Sequence, residues 1–401
     1  MNLDNNKNNV FHKIAEALIS QGSEGISSIL ETIYNGAMKI EREQALGAQS
    51  YERSDDRKGY ANGYKDKTLH TRVGALELKV PKVRNMSFYP GCLEKGTRSE
   101  KALKLAIAEM YLKGVSTRKV QAITQELCGL NISSTQVSNL CKELDTEFEI
   151  FRNRPIGEMI YVLCDAIYLK VRHNNTVIDM ACLIAYGINS EGKREILGAS
   201  MSLSEAEIHW REFFMHLYSR GLHGVQLIIS DAHIGMEKAR KTVFPSVPWQ
   251  RCQFHLMQNA IHYAPKKSMK NEIIEAMRAI FNSRNLESAL KVKDEVIKEF
   301  SKKAPEFVKW LDKNIDQALT CFNFPKEHRK KIRTSNGMER VNREIKRRTK
   351  VAVLFPSPES ALRLITGIIC EIHEEWLCGR TYLDIGLLRN KNEEIKLLKT
   401  A

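Results

Sequence analysis

The chain has 401 residues, of which 43% are hydrophobic and 27% charged, so it is long enough for two or three domains with a sizeable core. A formal net charge of +14 favours a polyanionic partner, with nucleic acid first, because each Lys or Arg that meets a phosphate releases counterions. No stretch approaches the roughly 18 apolar residues of a membrane span, and nine scattered cysteines argue against a disulfide framework.

Residues 1–150 predict a mainly α-helical DNA-binding region. Apolar residues at helical intervals predict a helix within the first 45 residues, namely Ile14, Leu18, Ile26, Ile29, Leu30 and Ile33. The polar, glycine-punctuated stretch "YERSDDRKGYANGYKDK" then suggests a structured linker or a compact basic module. Alternating residues around Gly74 predict a small β-hairpin near residues 67–84.

Residues 115–144 have the pattern of a helix-turn-helix. Thr117 is expected to cap a first helix, and Ser133 or Ser134 to open a second. The outer face of the second helix would present Gln136, Asn139 and Lys142, which we assign to DNA contacts. Any helical hairpin fits the same pattern, so the pattern alone leaves that alternative open.

The rest of the chain predicts an α/β core interrupted by helices. Residues 151–255 contain three strand-like runs, a helix capped at Ser204 and a short apolar strand, which is the plan of a ribonuclease H-like core. Residues 256–330 read as an all-helical insertion. Residues 331–401 return to the core with a basic helix and a C-terminal helix, for which Ser357 is the N-cap and Pro358 the first residue.

Two aspartates lie within or at the end of predicted strands, where catalytic or metal-binding groups are often found. Asp165 interrupts a predicted strand, where an isolated charge is costly unless it is paired or metal-bound. Asp231 ends a later strand, the usual place for a catalytic group in an open α/β sheet. Two such carboxylates suit Mg²⁺, a hard cation that prefers oxygen ligands.

Glu339 lies within the basic run "IRTSNGMERVNREIKRRTK". On a helix, Glu339, Asn342, Arg343 and Lys346 share one face, so a carboxylate would be followed by phosphate-binding groups. We expect this helix to contact the DNA backbone through Asn342, Arg343, Lys346, Arg347, Arg348 and Lys350. Taken singly, each acidic residue is more simply a cap or an i,i+4 ion-pair partner.

Cys252 and His255 form a Cys-x-x-His pair in "RCQFH". This is half of a zinc site, and no second half follows at a usual spacing. We therefore favour a structural or DNA-positioning role for the pair.

Four motifs occur in this order along the chain: "CDAIYLKVR", "ISDAHIGMEKA", "WQRCQFHLMQN" and "TSNGMERVNREIKRRTKVAVLFPSPES". Together they resemble bacterial insertion-sequence transposases of the Mutator type, a DDE transposase family with a ribonuclease H-like core, over nearly the whole chain. The resemblance implies that Asp165, Asp231 and Glu339 are the catalytic and metal-binding residues. It also implies that the helical block is an insertion before Glu339, and that Gly337 stands where many members have a bulkier residue or proline.

The predicted function is that of a DNA transposase. It would bind the terminal inverted repeats of an insertion sequence, cleave a strand and transfer it to target DNA, using two Mg²⁺ ions for which Mn²⁺ is expected to substitute. We expect a homodimer or larger synaptic complex in the bacterial cytoplasm at the nucleoid, with no membrane partner. Two rivals stay open: an inactive DNA-binding repressor of the same element, and a ribonuclease H-like nuclease.

Overall fold

A computed structural model describes residues 12, 15–16, 18–20, 25–52, 55–96, 99–350, 352 and 354–391. The chain divides into two compact units, residues 1–144 and 145–401. Of the predicted N-terminal helical positions, Ile14 lies outside the described residues. Within the described part of the chain, no helix is long and apolar enough to cross a membrane.

The first unit contains helix α1 (Ile26–Leu46) and a hairpin of strands β1 (Tyr60–Thr71) and β2 (Gly74–Arg84). The hairpin begins at Tyr60, seven residues before its predicted start, so much of the expected linker is a strand. The physical reason is a tertiary contact: the Arg42 guanidinium of α1 lies 5.1 Å from the Tyr64 ring centre and donates to its hydroxyl. This contact gives a polar segment a packed partner.

Helices α2 (Lys101–Leu112), α3 (Thr117–Cys128) and α4 (Ser134–Lys142) complete the first unit around their own apolar core. The cap of α3 is Ser116, whose side chain accepts from the Lys119 amide, so the prediction that Thr117 caps this helix was off by one residue. Ser133 caps α4 as predicted, in a capping box with Gln136. Two capped helices joined by a short turn match the predicted helical hairpin.

The second unit is built on a five-stranded mixed sheet. Helix α5 (Asp145–Asn153) precedes strands β3 (Met159–His173), β4 (Thr176–Asn189) and β5 (Arg194–Ser202), which pair antiparallel in sequence as predicted. Strands β6 (Leu227–Ser230) and β7 (Trp249–Arg251) add in parallel, giving the order β5-β4-β3-β6-β7. The three-residue β7 was not predicted, because so short a run has no detectable alternation.

Helices cover this sheet and extend from it. Helix α6 (Glu207–Ser219) packs on it through Trp210, Phe213 and Phe214, and α7 (Ile234–Val243) follows β6. The N-cap of α6 is Ala206, so the prediction that Ser204 caps it was wrong: the Ser204 hydroxyl accepts from the Ala206 amide, one turn before the helix.

The predicted all-helical stretch is helical, and it begins slightly earlier than expected. It comprises α8 (Gln253–Ile261), α9 (Met269–Phe281), α10 (Leu286–Phe300), α11 (Pro305–Asn314), two short 3₁₀ turns and α12 (Lys326–Ile332). The basic helix α13 (Asn336–Thr349) and the C-terminal helix α14 (Pro358–Cys378) follow. Ser357 caps α14 by accepting from the Ser360 amide, with Pro358 in the first turn, as predicted.

Candidate active site

The parallel pairing of β3 and β6 brings the two aspartates together. Leu163 pairs with Ile229 in this register. Asp165 lies two residues after Leu163 on β3, and Asp231 lies two residues after Ile229, immediately beyond the end of β6. Residues two apart in an extended segment face the same side of a sheet. The strand pairing, rather than any local motif, therefore makes these carboxylates neighbours.

Asp165 is held by two hydrogen bonds. Its Oδ1 accepts from the Ala166 amide at 2.8 Å, and its Oδ2 accepts from Asn342 Nδ2 at 2.6 Å. Burial, followed by the nearby charge of Asp231, raises the pKa of the Asp165 carboxyl to about 6, although both hydrogen bonds oppose the rise. A positive charge placed between the two aspartates would relieve this cost.

Helix α13 completes the cavity. Its apolar stripe of Met338, Val341 and Ile345 is buried, and the adjoining helix face, with Glu339, Asn342 and Lys346, lines the cavity beside the aspartates. One cavity of about 460 Å³ is lined by both aspartates and the helix face predicted from sequence, namely Asp165, Ala166, Ile167, Asp231, His255, Glu339, Asn342, Arg343 and Lys346.

Three oxygens at this cavity suit a hard cation. Glu339 Oε1 and Asn342 Oδ1 are buried and have no hydrogen-bond partner among the described residues, and the buried Asp231 Oδ1 contacts His255 Nδ1. Leaving such atoms without a partner is costly. Carboxylate and amide oxygens are the ligands that Mg²⁺ and Mn²⁺ prefer, so the residues present fit a divalent cation.

His255 also lies in this cavity, a position that its Cys-x-x-His spacing did not indicate. Its Nδ1 contacts Asp231 Oδ1, and its Nε2 lies 4.0 Å from Glu339 Oε1. The hydrogen-bonding interaction with Asp231, followed by that with Cys252, raises the pKa of His255 to about 10. A protonated His255 would therefore partly compensate the two carboxylates.

Cys252 precedes α8 and is fully buried. Its Sγ accepts from the Ser335 amide and hydroxyl, both at 3.3 Å, which ties the start of α8 to the residue before α13. Single ligand atoms of Asp231, Cys252 and His255 lie within 4.8 Å of one another. The Cys-x-x-His spacing was the visible signal, and its position beside Asp231 depends on β7.

Gly337 lies in the first turn of α13, two residues before Glu339. A Cβ at this position would lie 2.0 Å from the Tyr186 hydroxyl oxygen and 2.9 Å from its Cζ. Tyr186 is fully buried on β4 and packs edge-on against Trp376 of α14, with ring centres 5.1 Å apart. Glycine therefore lets the helix bearing Glu339 approach the sheet closely.

The predicted DNA-contacting residues occupy different environments. Arg343 and Lys346 line the cavity, while Arg347 and Lys350 are exposed beyond it. Arg348 is buried and pairs with Glu344 at 2.7 Å and Glu371 at 2.8 Å, so it joins α13 to α14.

In the first unit, the three predicted contact residues of α4 are exposed: Gln136, Asn139 and Lys142. The Gln136 side chain also accepts from the Ser133 amide in the capping box. It therefore has a structural role in holding the helix start, whatever else it contacts.

Comparisons with known proteins identify the family. The family model described as Transposase, Mutator family, matches residues 3–379. The transposase for insertion sequence element IS406 of Burkholderia multivorans is 46% identical over 372 residues, 92% of this chain and 96% of that protein. The transposase for insertion sequence element ISRM5 of Rhizobium meliloti is 38% identical, covering 96% of each chain.

A third relative, the transposase for insertion sequence element IS256 in transposon Tn4001 of Staphylococcus aureus, is 38% identical over 89% of this chain and 92% of that protein. The chain belongs to the Mutator family of transposases. It is thus a DNA-processing enzyme, and the resemblance seen in the four sequence motifs is confirmed.

Proposed function

We propose that this transposase cuts and joins DNA by a DDE mechanism on a ribonuclease H-like core, with Asp165, Asp231 and Glu339 as its catalytic carboxylates. One observation supports this above the others: two strands and one helix, distant in sequence, bring three carboxylates to a single cavity rimmed by cations. Structural ion pairing with Lys or Arg does not explain this convergence, because none of the three carboxylates forms such a salt bridge among the described residues. Their ion-pair contacts are with His255.

We assign metal binding to the three carboxylates and the orientation of Asp165 to Asn342. Asp165, Asp231 and Glu339 would hold two Mg²⁺ ions, or Mn²⁺ in their place. When bound, such ions activate the attacking water or 3′-hydroxyl and stabilise charge on the attacking and leaving oxygens. Asn342 orients Asp165 through its 2.6 Å hydrogen bond.

Phosphate binding falls to the cations of α13. Arg343 and Lys346 lie at the cavity itself, so they would hold the phosphates next to the scissile bond. Arg347 and Lys350 are exposed further along the helix and would follow the DNA backbone. We leave Arg348 out of the contact set because its guanidinium is committed to Glu344 and Glu371.

End recognition is assigned to the first unit. Helix α4 presents Asn139 and Lys142 on an exposed face after a capped turn, which is the geometry of a recognition helix. The two ends of an element must be brought together before joining, so we propose a homodimer or larger synaptic complex with the terminal inverted repeats and target DNA as partners.

The test uses labelled DNA carrying the element's own ends, incubated with the full chain and Mg²⁺, Mn²⁺ or EDTA. Cut and joined products that require metal and inverted repeats support the proposal. Binding without cutting would instead support the repressor. Cutting of an RNA–DNA hybrid in preference to the ends would support the nuclease.

A further inference from the structure

A second cavity adjoins the candidate active site. It lies among α8, α9 and the link into α13, and its volume is about 210 Å³. This volume is far larger than the roughly 30 Å³ that one water occupies in the liquid. Two elements join it to the carboxylate cavity: α8 contributes Phe254 here and His255 there, and α13 contributes Asn336 here and Glu339 there.

The cavity has apolar walls and a polar rim. Phe254, Met257 and Phe281 supply the apolar surface, and Arg278, Asn282, Arg333, Thr334 and Asn336 supply amide, hydroxyl and guanidinium groups. Phe254 remains 36% exposed, a large aromatic surface for a position beside a cavity. Its ring lies edge-on to His255, with centres 5.4 Å apart.

Arg333 connects this cavity to a third one. Its Nη1 donates to the Phe281 carbonyl at 3.3 Å and to Asn282 Oδ1 at 3.0 Å, which fixes the guanidinium at the shared edge. The neighbouring cavity, of about 420 Å³, shares these three residues and adds the exposed cations Arg284, Lys326 and Lys330. No Asp or Glu is among the described residues lining either cavity.

We infer that the cavity at Phe254 binds one unstacked nucleobase of the DNA strand whose phosphate enters the carboxylate cavity. The inference rests on the proposed function. A flat apolar ring accepts any base by stacking, and the polar rim meets its edge. The cations of the neighbouring cavity hold the phosphates that continue from that base.

Charge and continuity favour this occupant over an apolar peptide. The rim is cationic on the side away from the carboxylates, so it complements a polyanion that already extends from the active site. Removing one base from the stack rotates that nucleotide about its backbone, and this rotation would present the adjacent phosphodiester to the carboxylates.

The experiment combines a variant with an altered DNA. Phe254→Ala removes the stacking surface, and Phe254→Tyr retains it. Tyr218→Ala is the matched control, because Tyr218 is an exposed aromatic residue on α6 and lines neither cavity. Substrates carry the element's own ends, with an abasic nucleotide moved one position at a time across the cleavage junction.

We expect Phe254→Ala to slow cleavage about tenfold, equivalent to about 1.4 kcal/mol and within the range of one base–aromatic stack. An abasic nucleotide at one junction position should restore the rate, because no base then has to be accommodated. Phe254→Tyr should recover most of the rate that Phe254→Ala loses, and Tyr218→Ala should cut at the wild-type rate.

A purely structural role for Phe254 would give a slow variant that no abasic position restores, and this result would overturn the inference. So would a Phe254→Ala variant as fast as the wild type. Both outcomes leave the proposed function intact, whereas a wild-type protein that never cuts its ends contradicts the proposed function itself.

Discussion

Replacement of Gly337 by alanine tests whether close packing of α13 positions the catalytic glutamate. The new Cβ would lie 2.0 Å from the Tyr186 hydroxyl oxygen. Ordinary contact needs well over an ångström more, and Tyr186 is fully buried, so it has little room to move. Overpacking of this kind costs about 1–3 kcal/mol, and a displacement of about 1 Å at a reacting group can slow catalysis by about a hundredfold.

Two readouts separate these effects. All four tryptophans, Trp210, Trp249, Trp310 and Trp376, lie in the second unit, so their fluorescence during urea unfolding reports that unit alone. Strand cleavage reports the position of Glu339. We expect Gly337→Ala to unfold at a lower urea concentration and to cut DNA more slowly than the wild type. The double variant with Tyr186→Phe should recover part of each loss, because it lacks the hydroxyl oxygen nearest the new Cβ.

The matched control is Gly157→Ala, since a Cβ at Gly157 meets nothing within 4 Å and the residue precedes β3 in the same unit. It should leave both readouts unchanged. If Gly337→Ala unfolds at the wild-type urea concentration and cuts at the wild-type rate, α13 is not held by this contact and the reasoning fails.

Three further predictions concern charge. The folded-state pKa of Asp165 is raised from 3.8 to about 6, so its stabilising contribution is present below about pH 4 and lost as pH rises through 6. In EDTA at pH 8, Asp165→Asn should therefore raise the free energy of unfolding by up to about 3 kcal/mol, and a urea titration showing no gain, or a gain that persists at pH 4, would refute this. Arg348→Ala should destabilise the second unit by about 1–3 kcal/mol because it leaves Glu344 and Glu371 without their shared cation. The exposed Arg347→Ala should unfold at nearly the wild-type urea concentration, so equal unfolding curves for the two variants would contradict this prediction. Lys346→Ala should weaken DNA binding across sequences and reduce the slope of log K against log salt by about 0.9, and an unchanged slope in a binding titration would remove Lys346 from the contact set.

Periodicity predicted the elements that hold the site. The alternating runs of β3, β4 and β5, the apolar strand before Asp231 and the helical face of Glu339 and Asn342 were all visible in sequence, because each depends on local spacing. The resemblance to Mutator-type transposases then supplied the expected roles of Asp165, Asp231 and Glu339. Which strands pair in parallel is a non-local property, and the structure supplied that register between Leu163 and Ile229.

The parts that sequence missed depend on tertiary contacts. Strand β7 is three residues long and exists because it pairs with β6, and it leads directly into Cys252 and thus sets where His255 lies. Nothing in the sequence distinguishes Arg348 from its basic neighbours, because its burial between Glu344 and Glu371 depends on the packing of α13 against α14. The start of the hairpin at Tyr60 similarly depends on packing that local composition does not indicate.

Single-turnover cleavage of the element's ends by Glu339→Gln and Glu344→Gln tests the central claim most directly. Both carboxylates lie on α13, but Glu339 lines the carboxylate cavity and Glu344 pairs with Arg347 and Arg348. The account predicts that both variants bind the ends, that Glu344→Gln cuts them with Mg²⁺, and that Glu339→Gln is slower by about a thousandfold or more. Equal cleavage by the two variants would show that Glu339 is only a charge on a basic helix, and would contradict the account.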